Sequence, residues 1–138
     1  MKVLYTAQAT AKGGRDGRIR SEDGVLDLAL ATPKALGGPG GAATNPEQLF
    51  AAGYSACFES ALRLVARRAG KPLTEAQVAA SVTLGQTENG LYGLAAELRV
   101  RVPGLPREEV LALANAARQV CPYSIATRGN IEVKITAE

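Results

Sequence analysis

The sequence holds no histidine and no tryptophan, a single methionine and only two cysteines among 138 residues. Without an imidazole, a Ser-His-Asp triad, a Cys-His dyad, a histidine general base and every His-ligated zinc, copper or iron centre are excluded. Two thiols cannot close a four-cysteine zinc or iron–sulfur site. Any chemistry therefore runs on cysteine, carboxylates, lysine, arginine, tyrosine or a cofactor. Aromatic residues are scarce at 4%, and no basic run exceeds Arg67-Arg68. The net charge of +3 is thus not gathered into the clustered basic patch that nucleic-acid binding uses. No run of about 18 apolar residues exists to span a membrane, and Met1 to Thr6 lacks the apolar stretch of a signal peptide. The expectation is a soluble, cytoplasmic protein with neither nucleic acid nor membrane as a partner, in a compartment where structural disulfides are rare.

What is present is ordinary for a globular chain: 46% hydrophobic and 21% charged residues in a length that suits one domain, residues 1–138. Weak alternation from Val3 to Ala9, a break at Gly13-Gly14, an extended Arg18 to Ser21 and a turn at Asp23-Gly24 before Leu26, Leu28 and Leu30 predict a three-stranded meander. Residues 32–44, with Pro33 and four glycines but one charge, predict a loop. Asn45-Pro46-Glu47-Gln48 starts a helix: an Asn N-cap, proline at the first helical position, and Gln three residues after the cap. Gly70 and Pro72 end it. From Leu49 to Phe58 no charge interrupts any face, whereas Glu59, Arg63 and Arg67 form one solvated stripe. A chain this short does not surround a helix alone, so a second copy is expected to cover part of it. Two strands, 78–87 and 91–102, meet at Asn89-Gly90. A second helix opens at Pro106 and buries Val110, Leu113, Ala114, Ala117, Val120 and Cys121, with Pro122 forbidding its continuation. Ile131, Val133 and Ile135 mark a last strand. The fold class is α+β, with a largely antiparallel sheet and a buried central helix.

Cys57 lies in the uncharged half of the first helix, and Cys121 ends the second. Each alone fits an inert buried hydrophobe as well as a redox thiol, and sequence does not show that the two meet within disulfide distance. A buried thiol is inert unless a fixed positive charge favours its anion, and without histidine that charge must be Arg, Lys or a helix N-terminus. Arg suits best, because its forked donors hold a thiolate and a carboxylate together. Arg15, after the Gly-Gly turn, is either that cation or an exposed loop residue. Glu47 is either its carboxylate or a first-turn acid that favours the helix dipole.

The segments TNPEQLFAAGYSACF (44–58) and QVCPYSIATRGNIEV (119–133), preceded by GGRDGR (13–18) and TPKALGGPGGAATNPEQ (32–48), resemble the organic hydroperoxide resistance branch of the OsmC/Ohr family, over nearly the whole chain. The resemblance implies an OsmC-like fold in an intertwined homodimer, and a thiol peroxidase that reduces organic hydroperoxides to alcohols. It makes Cys57 the peroxidatic thiolate, Cys121 the resolving thiol that closes a Cys57–Cys121 disulfide, Arg15 the active-site arginine and Glu47 the carboxylate that orients it. It also implies recycling by a dithiol, dihydrolipoyl groups on lipoylated proteins, with no metal or flavin. Leu49, Phe50, Tyr54, Phe58 and Ile125 would form an apolar substrate-binding surface, or ordinary core. The alternative of a different class is a redox-sensing or ligand-binding module whose disulfide forms reversibly without turnover.

Spacing adds one expectation. Glu47 and Cys57 are ten positions apart in one helix, roughly 15 Å along its axis, too far for one arginine to bridge easily. Either the helix start bends back, or the site combines Glu47 of one chain with Cys57 of another, and the apolar half of the helix favours the second. Mixing Cys57→Ser chains with Glu47→Ala chains checks this. Under sharing, each heterodimer holds one intact site, so peroxide reduction reappears after subunit exchange; a mixture as inactive as its parents refutes the shared arrangement.

Overall fold

A computed structural model describes residues 1–138, and its elements follow the predicted α+β succession with one addition. In residues 1–49, β1 (Ala9–Lys12), β2 (Arg18–Ser21) and β3 (Asp27–Ala29) form an antiparallel meander in that order. Alternation alone places the first strand over Val3 to Ala9, but it begins only at Ala9. The reason is the partner: β1 pairs Ala9 with Ser21 through Lys12 with Arg18, and beyond Ser21 the chain turns away. At that turn the Ser21 hydroxyl donates to Asp23 at 2.6 Å and the Gly24 N–H to the Ser21 carbonyl at 2.9 Å. No ladder is left for residues 3–7. In this unit Leu30 and Thr44 alone are buried. They form a parallel bridge that closes the 32–44 loop at its two ends.

The start of α1 (Pro46–Arg68) is made as the sequence indicates, with one change of partner. Asn45 Oδ1 accepts the Gln48 N–H at 2.8 Å, which caps the helix. The Gln48 side chain does not return to the cap. It accepts the Thr44 hydroxyl at 2.7 Å, so only half of the capping box forms.

In residues 50–138, β4 (Gln77–Gln86) and β5 (Tyr92–Arg101) form the hairpin expected at Asn89-Gly90, and β6 (Glu132–Ala137) joins β5 in parallel. A parallel partner needs a crossover, which α2 (Arg107–Val120) and α3 (Pro122–Thr127) supply. Tyr54, Phe58 and Leu62 of α1, Leu98 and Val100 of β5, Val110, Ala114 and Ala117 of α2, and Cys121 form one buried cluster. Burial of α1 is not all-round in the single chain: Tyr54 and Phe58 are buried, but Ala52 and Ala56 are exposed. One sheet and one helix cover one side of a cylinder, and the uncharged opposite side stays open.

The addition is α3. Pro122 ends α2 because it has no N–H to continue the ladder, yet at the first position of a new helix that missing donor costs nothing. Cys121 takes the extended conformation between them (φ −67°, ψ 120°), so the proline turns the chain into a further helix rather than a loop. No helix is long and apolar enough to cross a membrane.

Leu98→Ala removes a fully buried side chain from the cluster and is expected to lower stability by about 2–5 kcal/mol. The exposed Leu91→Ala is expected to stay within about 0.5 kcal/mol. Urea unfolding of both variants measures the difference.

Candidate active site

The turn that carries Arg15 is shaped by glycine. Gly13 and Gly14 take positive φ (86° and 57°), and a side chain at Gly17 would come within 1.7 Å of the Lys12 carbonyl oxygen. Asp16 fastens the turn to the following loop, its Oδ1 accepting both the backbone N–H and the hydroxyl of Thr32 at 3.0 Å. Arg15 is thereby presented to Glu47, in the first turn of α1, and the two form a forked pair with N···O distances of 2.8 and 2.6 Å. The Arg15 guanidinium holds the Glu47 carboxyl below its ordinary value, against the opposing effect of partial burial. A lone first-turn acid would be stabilised by the helix dipole alone; here the carboxylate also fixes the arginine's direction.

In residues 50–138 the two cysteines meet. Cys57 is half-buried on α1, Cys121 is fully buried at the α2–α3 junction, and their sulfurs are 3.5 Å apart with both thiols free. That is contact without a bond, since a disulfide needs about 2.05 Å. Burial pushes the Cys57 thiol up, the Tyr123 backbone N–H pulls it down, and the neighbouring Cys121 raises it further. None of these groups is cationic. Within this unit the balance of these groups raises the Cys57 thiol above its ordinary value.

Around the sulfurs stand side chains that the sequence pattern does not single out. Tyr123 packs against Phe50 and Tyr54 with ring centroids 6.0 and 5.6 Å away. It fits because Gly53 lacks a side chain: a Cβ there would lie 2.8 Å from the Tyr123 hydroxyl. Tyr54 Oη is 2.9 Å from Ser124 Oγ and 3.3 Å from Thr127 Oγ1, all in the interior. Pro122 at a helix start and the short polar residues behind it are the one sequence signal that could have placed Ser124 and Thr127 on a packed helix. Of the apolar residues predicted to meet substrate, Tyr54 and Phe58 lie fully in the core, Leu49 and Phe50 are half-buried, and Ile125 is 54% exposed.

A family model described as OsmC-like protein matches residues 38–136. The organic hydroperoxide resistance protein of Xanthomonas axonopodis pv. citri is 54% identical over 136 residues, covering 98% of this chain and 95% of its own. Organic hydroperoxide resistance protein OhrB of Bacillus subtilis is 46% identical over 134 residues, with 96% and 97% covered. Among solved structures, an organic hydroperoxide resistance protein from Elizabethkingia anophelis, with crystallant-derived thiocyanate bound, superposes with a TM-score of 0.93. It shares 54% identity, covering 100% of this chain and 99% of that one.

The forked pair has a measurable consequence. Because the Glu47 carboxyl titrates low when folded, its contribution to stability is present above the ordinary carboxylate range and is lost as pH falls through the depressed value. Arg15→Lys keeps the charge but loses the fork, and the Glu47 titration, followed by side-chain carbon NMR, is expected to move up toward the ordinary value. An unchanged titration would show that the fork does not set it.

Proposed function

The chain belongs to the OsmC/Ohr family, and from that membership we propose that it is a thiol peroxidase that reduces organic hydroperoxides to alcohols. The observation that carries this reading is the reduced sulfur pair: a reachable Cys57 with a buried Cys121 3.5 Å from it. The Cys57 thiolate attacks the terminal peroxide oxygen, forming an S–O bond and breaking O–O, and the departing alkoxide takes a proton to leave as the alcohol. Cys57 is then a sulfenic acid. Cys121 attacks that sulfur, S–S forms, S–O breaks, and hydroxide leaves with the Cys121 proton as water. An external dithiol, a dihydrolipoyl group on a lipoylated protein, reduces the disulfide by exchange.

The first step needs a thiolate, and burial raises the Cys57 thiol in its own unit. Arg15 is the cation that answers this, and it travels with Glu47 because the two are paired within one chain. In our reading the active unit is a homodimer in which Arg15 and Glu47 of one protomer serve Cys57 of the other. The open, uncharged side of α1 at Ala52 and Ala56 supports it, as do the strands of residues 1–49, none of which buries a residue. Arg15 lowers the thiolate pKa and stabilises charge developing on the departing oxygen, which is where fixed donors act most strongly. Leu49, Phe50 and Ile125 offer apolar surface to a fatty or aromatic hydroperoxide, with Tyr54 and Phe58 as the packed floor beneath.

Cumene hydroperoxide and hydrogen peroxide, each supplied with dihydrolipoamide or with thioredoxin, test the reading. Sustained turnover is expected with cumene hydroperoxide and dihydrolipoamide above the other combinations. Cys57→Ser abolishes it, and Cys121→Ser permits one attack and then accumulates over-oxidised Cys57 on intact-mass analysis. One oxidation without further consumption in the unmodified protein would instead mean a redox-sensing module. Normal multiple turnover in the Cys121 variant would remove Cys121 from the resolving role.

A further inference from the structure

Two ties join α1 to the segment Cys121–Thr127, and they share one geometry. On α1, Tyr54 precedes Cys57 by three residues, and in the facing segment Ser124 follows Cys121 by three. Tyr54 Oη lies 2.9 Å from Ser124 Oγ, and Cys57 Sγ lies 3.5 Å from Cys121 Sγ. The two segments therefore run antiparallel, and the α1 residues that carry the two ties are about 4.5 Å apart along the helix axis, three residues of helical rise. Tyr54, Ser124 and Thr127 are 0%, 3% and 5% exposed, so water does not compete for these groups. Thr127 Oγ1 donates its proton to the Tyr123 carbonyl at 2.9 Å, which leaves it an acceptor for Tyr54. Gly53 removes the side chain that would hold α3 away. This hydroxyl cluster takes no part in proton transfer or attack as described above, and nothing in the fold requires a polar cluster there rather than an apolar one.

We propose that the Tyr54–Ser124 hydroxyl pair is a positioning device for disulfide formation: it clamps the first turn of α3 to α1, so that the Cys121 sulfur stays within a short travel of Cys57 after Cys57 has been oxidised. The proposal rests on the peroxidase reading and deepens it. To form the disulfide the sulfurs must close from 3.5 Å to about 2.05 Å while the sulfenic S–O bond breaks and water leaves. The competing event is attack of the same sulfenic sulfur on a second hydroperoxide, in which oxygen is transferred to sulfur, O–O breaks, and an alcohol leaves behind a sulfinic acid that a dithiol does not restore. Which product forms depends on the fraction of time that Cys121 stands in range, and the clamp sets that fraction without touching a reacting atom.

Ser124→Ala is the test, since Tyr54 keeps Thr127 as a partner and the fold is retained. With pulses of cumene hydroperoxide and excess dihydrolipoamide, three quantities are followed: the rate of first thiol consumption by rapid mixing, the ratio of sulfinic acid to disulfide by intact mass, and the melting temperature. The expected result is an unchanged first rate with a ratio raised by up to roughly a hundredfold, the size of effect that a misplacement of about an ångström can produce. Ser124→Thr, which keeps the hydroxyl, returns the ratio to that of the unmodified protein. Tyr54→Phe removes the other end and raises the same ratio, and the double variant with Ser124→Ala goes no higher than the larger single one, as for two ends of one contact. Turnover with an unchanged ratio in Ser124→Ala overturns the clamp alone. An unmodified protein that does not turn over overturns the peroxidase reading beneath it.

Discussion

Gly53 has no side chain, and Tyr123 occupies the room that one would take, its hydroxyl only 2.8 Å from where a Cβ would stand. Much of the sulfur environment depends on that close approach. It lets α3 lie against α1, which brings Ser124 to Tyr54, turns the Tyr123 N–H toward Cys57 and leaves Cys121 in van der Waals contact with Cys57. Pro122 is the other half of the arrangement. By ending α2 and opening α3 at a single residue, it makes Cys121 belong to both helices, so the sulfur is held by the cap geometry of one and the first turn of the other.

The electrostatics divide along the chain in the same way. Residues 1–49 hold a forked arginine–carboxylate pair whose partners fix each other, and residues 50–138 hold a thiol that burial pushes above its ordinary value. One half thus carries a cation directed by its carboxylate, and the other carries the pair of sulfurs.

The parts of this architecture that the sequence announced were those with strong local chemistry. Asn45-Pro46 marked the helix start to the residue, and Asn89-Gly90 marked the hairpin, because a cap and a type of turn are decided by the residues that make them. The forked pair of Arg15 and Glu47 was legible through the resemblance and not through spacing, since thirty-two residues separate them. The first strand was misplaced because a strand is defined by its partner, and the alternation of Val3 to Ala9 says nothing of where β2 ends. The helix α3 was hidden behind a proline that reads as a stop. Tyr123, Ser124 and Thr127 were invisible as a site because their meeting with Gly53 and Tyr54 is a tertiary event that no periodicity records.

The parallel pairing of β5 with β6 has a consequence for how the molecule comes into being. The β4–β5 hairpin closes through a short turn and needs only its own residues, whereas Ala95 finds Glu132 only after the whole crossover has been made. Hairpins form in about 1–10 μs, while pairings distant in sequence wait on the loop entropy between them. During synthesis the chain therefore holds a finished hairpin long before its last strand exists, and Cys121, which lies in that crossover, reaches Cys57 among the late events. Through most of the synthesis that follows Cys57, that thiol has no partner, because Cys121 has not yet been made.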